Sequence, residues 1–248
     1  MYSPKPSLPG RGKRAGALLR LRRRNLRPPL PSMFLSNVRS LRNKTDEFLC
    51  NLQTNRDYTH CSIFCFTETW LDATIPDSAV QPPGLTIYRS DRSRDETGKT
   101  RGGGVCFLIN DRWATDVKIL SKTCSVDIET LTIVCRPFYL PREFSSIILT
   151  AVYIPPQANT DAAVIQLSDI VTQAELSQPE SFVIVTGDFN KANPKKQMPK
   201  LIQQVTCATR DGRTLDRCYT TIKGAYRSIR RAPLGRSDHA MCRLTNSN

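Results

Sequence analysis

Val183-Ile184-Val185-Thr186-Gly187-Asp188-Phe189-Asn190 is the stretch on which the reading of this chain turns. Three consecutive apolar residues, two valines around an isoleucine, read as a strand covered on both faces. The run breaks at Gly187 and then presents a carboxylate and an amide two positions apart. On an extended chain residues i and i+2 share a side. Asp188 and Asn190 are therefore expected to project together from the end of a core strand. A carboxylate beside a neutral amide suits a hydrated cation or a phosphate oxygen. Further on, Ser237-Asp238-His239 contains one of only two histidines in the chain. Together the two stretches point to metal-assisted hydrolysis of a phosphodiester.

Other polar residues also sit at the ends of apolar runs. Asn37 follows Met33-Phe34-Leu35, Glu68 follows Ile63 to Phe66, and Tyr153 lies near the end of Ile147 to Val152. Convergent strand ends are a common way to build a site on a rigid scaffold. Further strands are expected at Thr86–Arg89, Val105–Ile109, Ile128–Cys135 (half-exposed, from its partial alternation), Ser146–Ile154, Arg213–Ile222 and Ala240–Leu244. Helical spacing marks Leu41, Thr45, Phe48, Leu49 and Leu52, and again Val164, Leu167, Ile170, Val171 and Ala174, with Asn159 or Thr160 as cap. A short helix is expected over Pro199–Val205, loops over 72–84 and 91–101, and a tight turn at Gly102-Gly103-Gly104. Trp70 reads as packing and His60 as an ordinary surface residue. Strand groups interleaved with helices argue for a mixed α/β domain of layered sheets.

The 248 residues suffice for one large domain. Residues 1–32 hold nine Lys or Arg and no acid, leaving 27 basic against 22 acidic residues beyond them. Most of the net charge of +14 thus sits in this proline-bearing leader, which reads as a disordered basic arm. Such an arm raises nucleic-acid affinity non-specifically. The nine cysteines are scattered without a CxxC pair, which argues against a zinc site and for buried reduced thiols. No apolar stretch reaches membrane-span length, so a soluble, intracellular protein is expected. The domain from 33 to 248 ends just after its last strand, as a piece of something longer would.

The chain resembles the endonuclease/exonuclease/phosphatase superfamily, which includes deoxyribonuclease I and the abasic-site repair endonucleases. Asn37, Thr67-Glu68-Thr69, Tyr153, Gly187-Asp188-Phe189-Asn190, Asp216 and Ser237-Asp238-His239 occur in the family's order. The flanks Asn37-Val38-Arg39-Ser40-Leu41, Thr67-Glu68-Thr69-Trp70-Leu71, Arg101-Gly102-Gly103-Gly104-Val105, Tyr153-Ile154-Pro155-Pro156 and Thr214-Leu215-Asp216 are similar to the endonuclease domain of LINE-type (non-LTR) retrotransposons. The resemblance implies a four-layer α/β sandwich, two mixed β-sheets face to face with helices outside. It implies Mg²⁺-dependent nicking of DNA, with Mn²⁺ able to substitute, leaving a 3′-hydroxyl. In LINE elements that end primes a reverse transcriptase, which would be a partner encoded outside this chain. A nuclear location goes with that role.

The resemblance also distributes roles. Glu68, Asn37 and Asp238 are the expected metal contacts. His239 touches the scissile phosphate or takes the proton of the attacking water, with Asp216 holding its imidazole; Asp188 is the alternative base. Asn190 and Tyr153 donate to phosphate oxygens. Arg39 departs from the repair enzymes, which carry an acid there, and is expected on the DNA backbone. Arg227, Arg230, Arg231 and Arg236, in a presumed loop over 223–236, are the other backbone contacts. Two alternatives stay open: a phosphatase of the same superfamily, and a remnant that binds nucleic acid without cutting it.

Overall fold

The computed structural model describes residues 30–247. The basic arm expected over residues 1–32 therefore lies, up to residue 29, outside the described residues. Twelve strands follow in order: β1 Met33–Asn37, β2 Ile63–Thr67, β3 Leu85–Ser90, β4 Val105–Asn110, β5 Asp116–Cys124, β6 Glu129–Arg136, β7 Ser146–Tyr153, β8 Ser181–Asp188, β9 Ile202–Gln203, β10 Asp216–Thr220, β11 Tyr226–Arg231 and β12 Met241–Asn246. The α-helices are α1 Thr45–Thr54, α2 Arg56–Thr59, α3 Arg94–Thr97 and α4 Thr160–Ser177.

The strands form two six-stranded mixed sheets, ordered β11-β12-β1-β2-β4-β3 and β5-β6-β7-β8-β10-β9. Each has one parallel pair at its centre, β1 with β2 and β7 with β8. Alternate residues of the central strands serve two cores. Met33, Leu35, Ile63, Cys65, Leu149 and Ile184 fill the space between the sheets. Phe34, Phe64 and Phe66 face outward and pack with Phe48 of α1 and Tyr58 of α2. On the other side Ile148, Val152, Val183 and Val185 meet Val164, Leu167 and Val171 of α4. Each such side chain contributes about 1.5–3 kcal/mol by leaving water. The result is the layered sandwich the resemblance implies.

Asn159 caps α4, accepting from the amides of Asp161 and Ala162 at 3.2 Å. Gly187 has φ +143°, and a Cβ there would lie 1.9 Å from the Val152 carbonyl oxygen. Only glycine lets β8 approach β7 so closely just before Asp188.

Several expectations need correction. Pro199–Val205 holds no helix among its residues; it carries edge strand β9, where the Gln204 amide donates to the Thr220 hydroxyl and the Ile222 carbonyl. Strand β6 is buried along all but its last residue rather than half-exposed: Leu131, Ile133 and Cys135 enter the core between the sheets, and on the other face Thr132 pairs with Thr150 of β7. The charged 91–101 stretch contains α3, capped by Ser93. The presumed loop 223–236 contains strand β11.

Candidate active site

The parallel pairs β1/β2 and β7/β8 end at the same edge of the sandwich. Asn37, Tyr153 and Asp188 are the last residues of their strands, and Glu68 follows the last residue of β2. Asp216 opens β10 opposite Asp188, and His239 lies two residues before β12. Six polar residues from both sheets thus converge without any loop having to reach far.

Hydrogen bonds weld the convergence. Asn37 Nδ2 donates to Asp188 Oδ2 at 3.0 Å, and the Asn37 backbone N–H donates to Asp216 Oδ1 at 3.1 Å. Asp216 Oδ2 lies 2.7 Å from His239 Nδ1. Ser237 Oγ donates to the Asn37 carbonyl at 2.6 Å and accepts the His239 N–H at 3.2 Å. Asn37, Asp188, Asp216 and His239 are each at most 2% exposed. Beside them the Tyr153 hydroxyl donates to Glu68 Oε1 at 2.7 Å, and Trp70 Nε1 donates to Glu68 Oε2 at 3.1 Å. Glu68 and Trp70 both have positive φ, 51° and 55°. Such backbone strain in non-glycine residues concentrates at functional sites.

Asp188 and Asn190 meet, though not by strand alternation. The strand stops at Asp188, Asn190 turns to φ +46°, and its N–H donates to Asp188 Oδ1 at 3.0 Å. Its side-chain amide donates to the Ile154 carbonyl at 2.8 Å, which leaves one amide hydrogen for a ligand.

Electrostatics follow from this crowding. Burial, then the neighbouring Asp216, push the Asp188 carboxyl up to about 7. Burial lowers His239, but the hydrogen bond and charge of Asp216, with Asp188 and Asp238, outweigh it and leave the imidazole raised above its usual value. Burial and Glu68 raise the Tyr153 hydroxyl, which stays a donor.

A divalent cation fits these residues. One ligand atom each from Asp188, Asp216 and His239 falls within 4.8 Å of the others, a group able to hold a metal. Half-buried Glu68 offers two hard oxygens, each accepting a single hydrogen bond and keeping free lone pairs.

Asp238 does not join this group. Its Oδ2 lies 3.3 Å from Arg39 Nη1 and 2.9 Å from Arg210 Nη2, so it serves guanidiniums at the rim. The four downstream arginines are dispersed. Arg236 lines a cavity of 410 Å³ with Arg39, Lys44 and Trp70. Arg227, Arg230 and Arg231 sit on edge strand β11, and Arg231 pairs at 2.7 Å with Asp57 of α2, on the outer layer. Register decides this: Arg231 pairs with Met241, whose side chain lies in the outer core.

Three contributors escaped the sequence. Thr209 Oγ1 accepts the N–H groups of Leu215 and Asp216, fixing the latter. Lys44 Nζ donates to the carbonyls of Arg39 and Ser40, holding two positive-φ residues beside Glu68. Arg210 Nη1 lies 3.5 Å from His239 Nε2. No spacing rule links these residues to the motifs; only tertiary contact does. Trp70, expected to be mere packing, bonds Glu68 and lines a further cavity of 460 Å³. His60 is exposed, as expected. All nine cysteines are free, and six are buried. Among the described residues no helix is long and apolar enough to cross a membrane.

No protein-family model and no curated protein matches the sequence. Solved structures do match in fold. An AP endonuclease from Leishmania major has a TM-score of 0.63 at 12% identity, covering 90% of this chain and 88% of that one. A 3′ phosphatase from Neisseria, bound to a product DNA hairpin, has a TM-score of 0.62 at 14% identity over 88% of this chain and 100% of that one. The human Nocturnin catalytic domain gives 0.58 at 15% identity, covering 89% and 93%.

Proposed function

We propose that this chain is a metal-dependent DNA endonuclease that cuts one phosphodiester to leave a 3′-hydroxyl. The observation carrying the proposal is the single hydrogen-bonded constellation of Asn37, Asp188, Asp216 and His239, spanning both sheets beside the Glu68–Tyr153 pair. All of it belongs to motifs that occur in the order of the nuclease superfamily. The fold neighbours include proteins whose names are those of a nuclease and of a DNA-bound 3′ phosphatase.

The residues divide the work as follows. Glu68 and Asn37 would hold Mg²⁺, beside the Asp188, Asp216 and His239 group. Bound there, the metal would supply Lewis-acid polarisation of a phosphoryl oxygen. Asp216 accepts from His239 Nδ1–H and so keeps the Nε2 lone pair on the open side. Asp188, with its carboxyl near 7, is matched to accept the proton of the attacking water at neutral pH. His239 is the competing base, and a pH profile of Asp188→Asn against His239→Gln separates them. Asn190 offers its remaining amide hydrogen, and the Tyr153 hydroxyl, on turning from Glu68, its O–H, where negative charge grows on the phosphoryl oxygens.

The flanks around Asn37, Glu68, Gly102, Tyr153 and Asp216 favour the retrotransposon branch, with DNA as substrate and a nuclear site of action. Supercoiled plasmid with Mg²⁺ is the direct test, run beside a panel of soluble phosphomonoesters. Open-circle product supports the nuclease. Turnover of the soluble esters alone supports the phosphatase, and salt-sensitive binding without cleavage supports the non-cutting remnant.

A further inference from the structure

Two guanidiniums at the rim of the pocket share one carboxylate. Asp238 Oδ2 holds Arg210 at 2.9 Å and Arg39 at 3.3 Å. The side chains are 31%, 38% and 49% exposed, so water screens the hold and either arm detaches at little cost. The trio sits beside the buried Asp188, Asp216 and His239 group, and Arg210 Nε also lies 3.5 Å from exposed Asp211. Both arms have fixed shoulders. The Arg39 N–H donates to Asn37 Oδ1 at 3.2 Å, and its carbonyl accepts from Lys44 Nζ at 2.9 Å. Arg210 is bridged to Arg213 through two backbone bonds of 3.0 and 2.7 Å.

Arg210 also reaches inward. Its Nη1 is 3.5 Å from His239 Nε2, at the outer limit of a hydrogen bond. Because Nδ1 faces Asp216, the lone pair of the imidazole lies on Nε2, the atom that Arg210 rests against. Nothing else among the described residues occupies that nitrogen. A phosphate oxygen offers a guanidinium short, charge-assisted and bidentate bonds, which a long contact to a neutral nitrogen does not match.

We propose that Arg39 and Arg210 are the two arms of a grip for a backbone phosphate next to the bond being cut, and that Arg210 leaves His239 Nε2 when it takes that phosphate. The inference rests on the nuclease reading and narrows its substrate. One phosphate at the Asp188, Asp216 and His239 group and a second in the grip make the ligand a polynucleotide with at least two neighbouring phosphates, not a phosphomonoester. Arg210 acts as a positioning residue: it keeps His239 occupied until the polyanion arrives.

The test is binding of a fluorescein-labelled duplex oligonucleotide to the full chain in EDTA, by anisotropy across a salt series. Each arm removed, as Arg39→Ala or Arg210→Ala, should weaken binding roughly 10-fold. Each should also flatten the slope of log K against log salt by about 0.9, the increment for one released counterion on B-DNA. Arg210→Lys should keep the slope and lose part of the affinity. Arg136→Ala, beside Asp116 on the edge of the other sheet, should change neither. With Mg²⁺ present, Arg210→Ala should raise KM for plasmid far more than it lowers kcat. Unchanged slopes in both alanine variants, with Arg210→Gln and circular dichroism confirming folded protein, overturn the grip even if the chain nicks DNA. Flattened slopes in a chain that nicks nothing leave the grip standing and remove the nuclease.

Discussion

Asp216→Asn separates the site's chemistry from its architecture. Asp216 accepts two hydrogen bonds, one from the Asn37 N–H at 3.1 Å and one shared with His239 Nδ1 at 2.7 Å. Asparagine keeps an oxygen for Asn37 but turns an NH₂ toward Nδ1. The imidazole must then carry its proton on Nε2, the wrong tautomer for accepting from water. Removing the carboxylate that orients a catalytic imidazole costs up to about 10⁴-fold in kcat, or about 5.5 kcal/mol. Stability should move far less, because two effects oppose each other. A buried charge-assisted hydrogen bond worth roughly 1.5–3 kcal/mol is lost, while the like-charge pressure of Asp216 on Asp188 is relieved. The pH dependence has a definite sign. His239 in the folded protein is raised above its unfolded value, so its contribution is fully present below about 6.5 and is lost as pH rises through the folded value. The deficit of Asp216→Asn in thermal stability should therefore be larger at acid than at alkaline pH. Ring-proton NMR of the metal-free chain reads the cause directly, since His60 and His239 are its only two histidines and give separate signals. The His239 midpoint should fall in the variant. An unmoved midpoint, or nicking within threefold of the parent, refutes the Asp216–His239 coupling.

The same geometry makes further predictions. Tyr153→Phe removes the donor to Glu68 Oε1 and should lower kcat roughly 10- to 100-fold with the fold intact by circular dichroism. Asp188→Asn should abolish nicking yet raise the melting temperature at pH 8; the gain should shrink as pH falls from 7 toward 4, because the folded carboxyl then takes up its proton before the unfolded one does. Gly187→Ala forces a methyl against the Val152 carbonyl and should cost about 3 kcal/mol in urea unfolding. Treatment with EDTA should stop nicking, and Mg²⁺ or Mn²⁺ should restore it without refolding.

The core strands were legible because residues buried on both faces leave uninterrupted apolar runs, as in Ile63–Phe66 and Val105–Ile109. Helix α4 was legible from its 3.6-residue spacing and the Asn159 cap. Strand β5 was missed because most of its side chains are partly or fully exposed and a register shift between Ile119 and Ser121 breaks its alternation. The helix expected at Pro199–Val205 failed because β9 pairs only two residues with β10, too few to leave a pattern. Asn37, Glu68, Tyr153, Asp188 and Asn190 were readable as strand-end residues, and His239 from the Ser237-Asp238-His239 stretch. Their partners Arg210, Thr209 and Lys44 were not, since each acts through a contact set by tertiary packing alone. The dispersal of Arg227, Arg230 and Arg231 had the same origin: a strand sends neighbouring residues to opposite faces, so a run of arginines is not one patch.

The central claim is that buried Asn37, Asp188, Asp216 and His239, with Glu68 at their side, hydrolyse a DNA phosphodiester. Its most direct measurement is cleavage of an end-labelled duplex in Mg²⁺, followed by extension of the product with a DNA polymerase. A cut whose 3′ end is extended, and which disappears in both Glu68→Ala and His239→Ala, is the predicted result. A duplex left whole by the folded parent chain, or cut equally well by both variants, contradicts it.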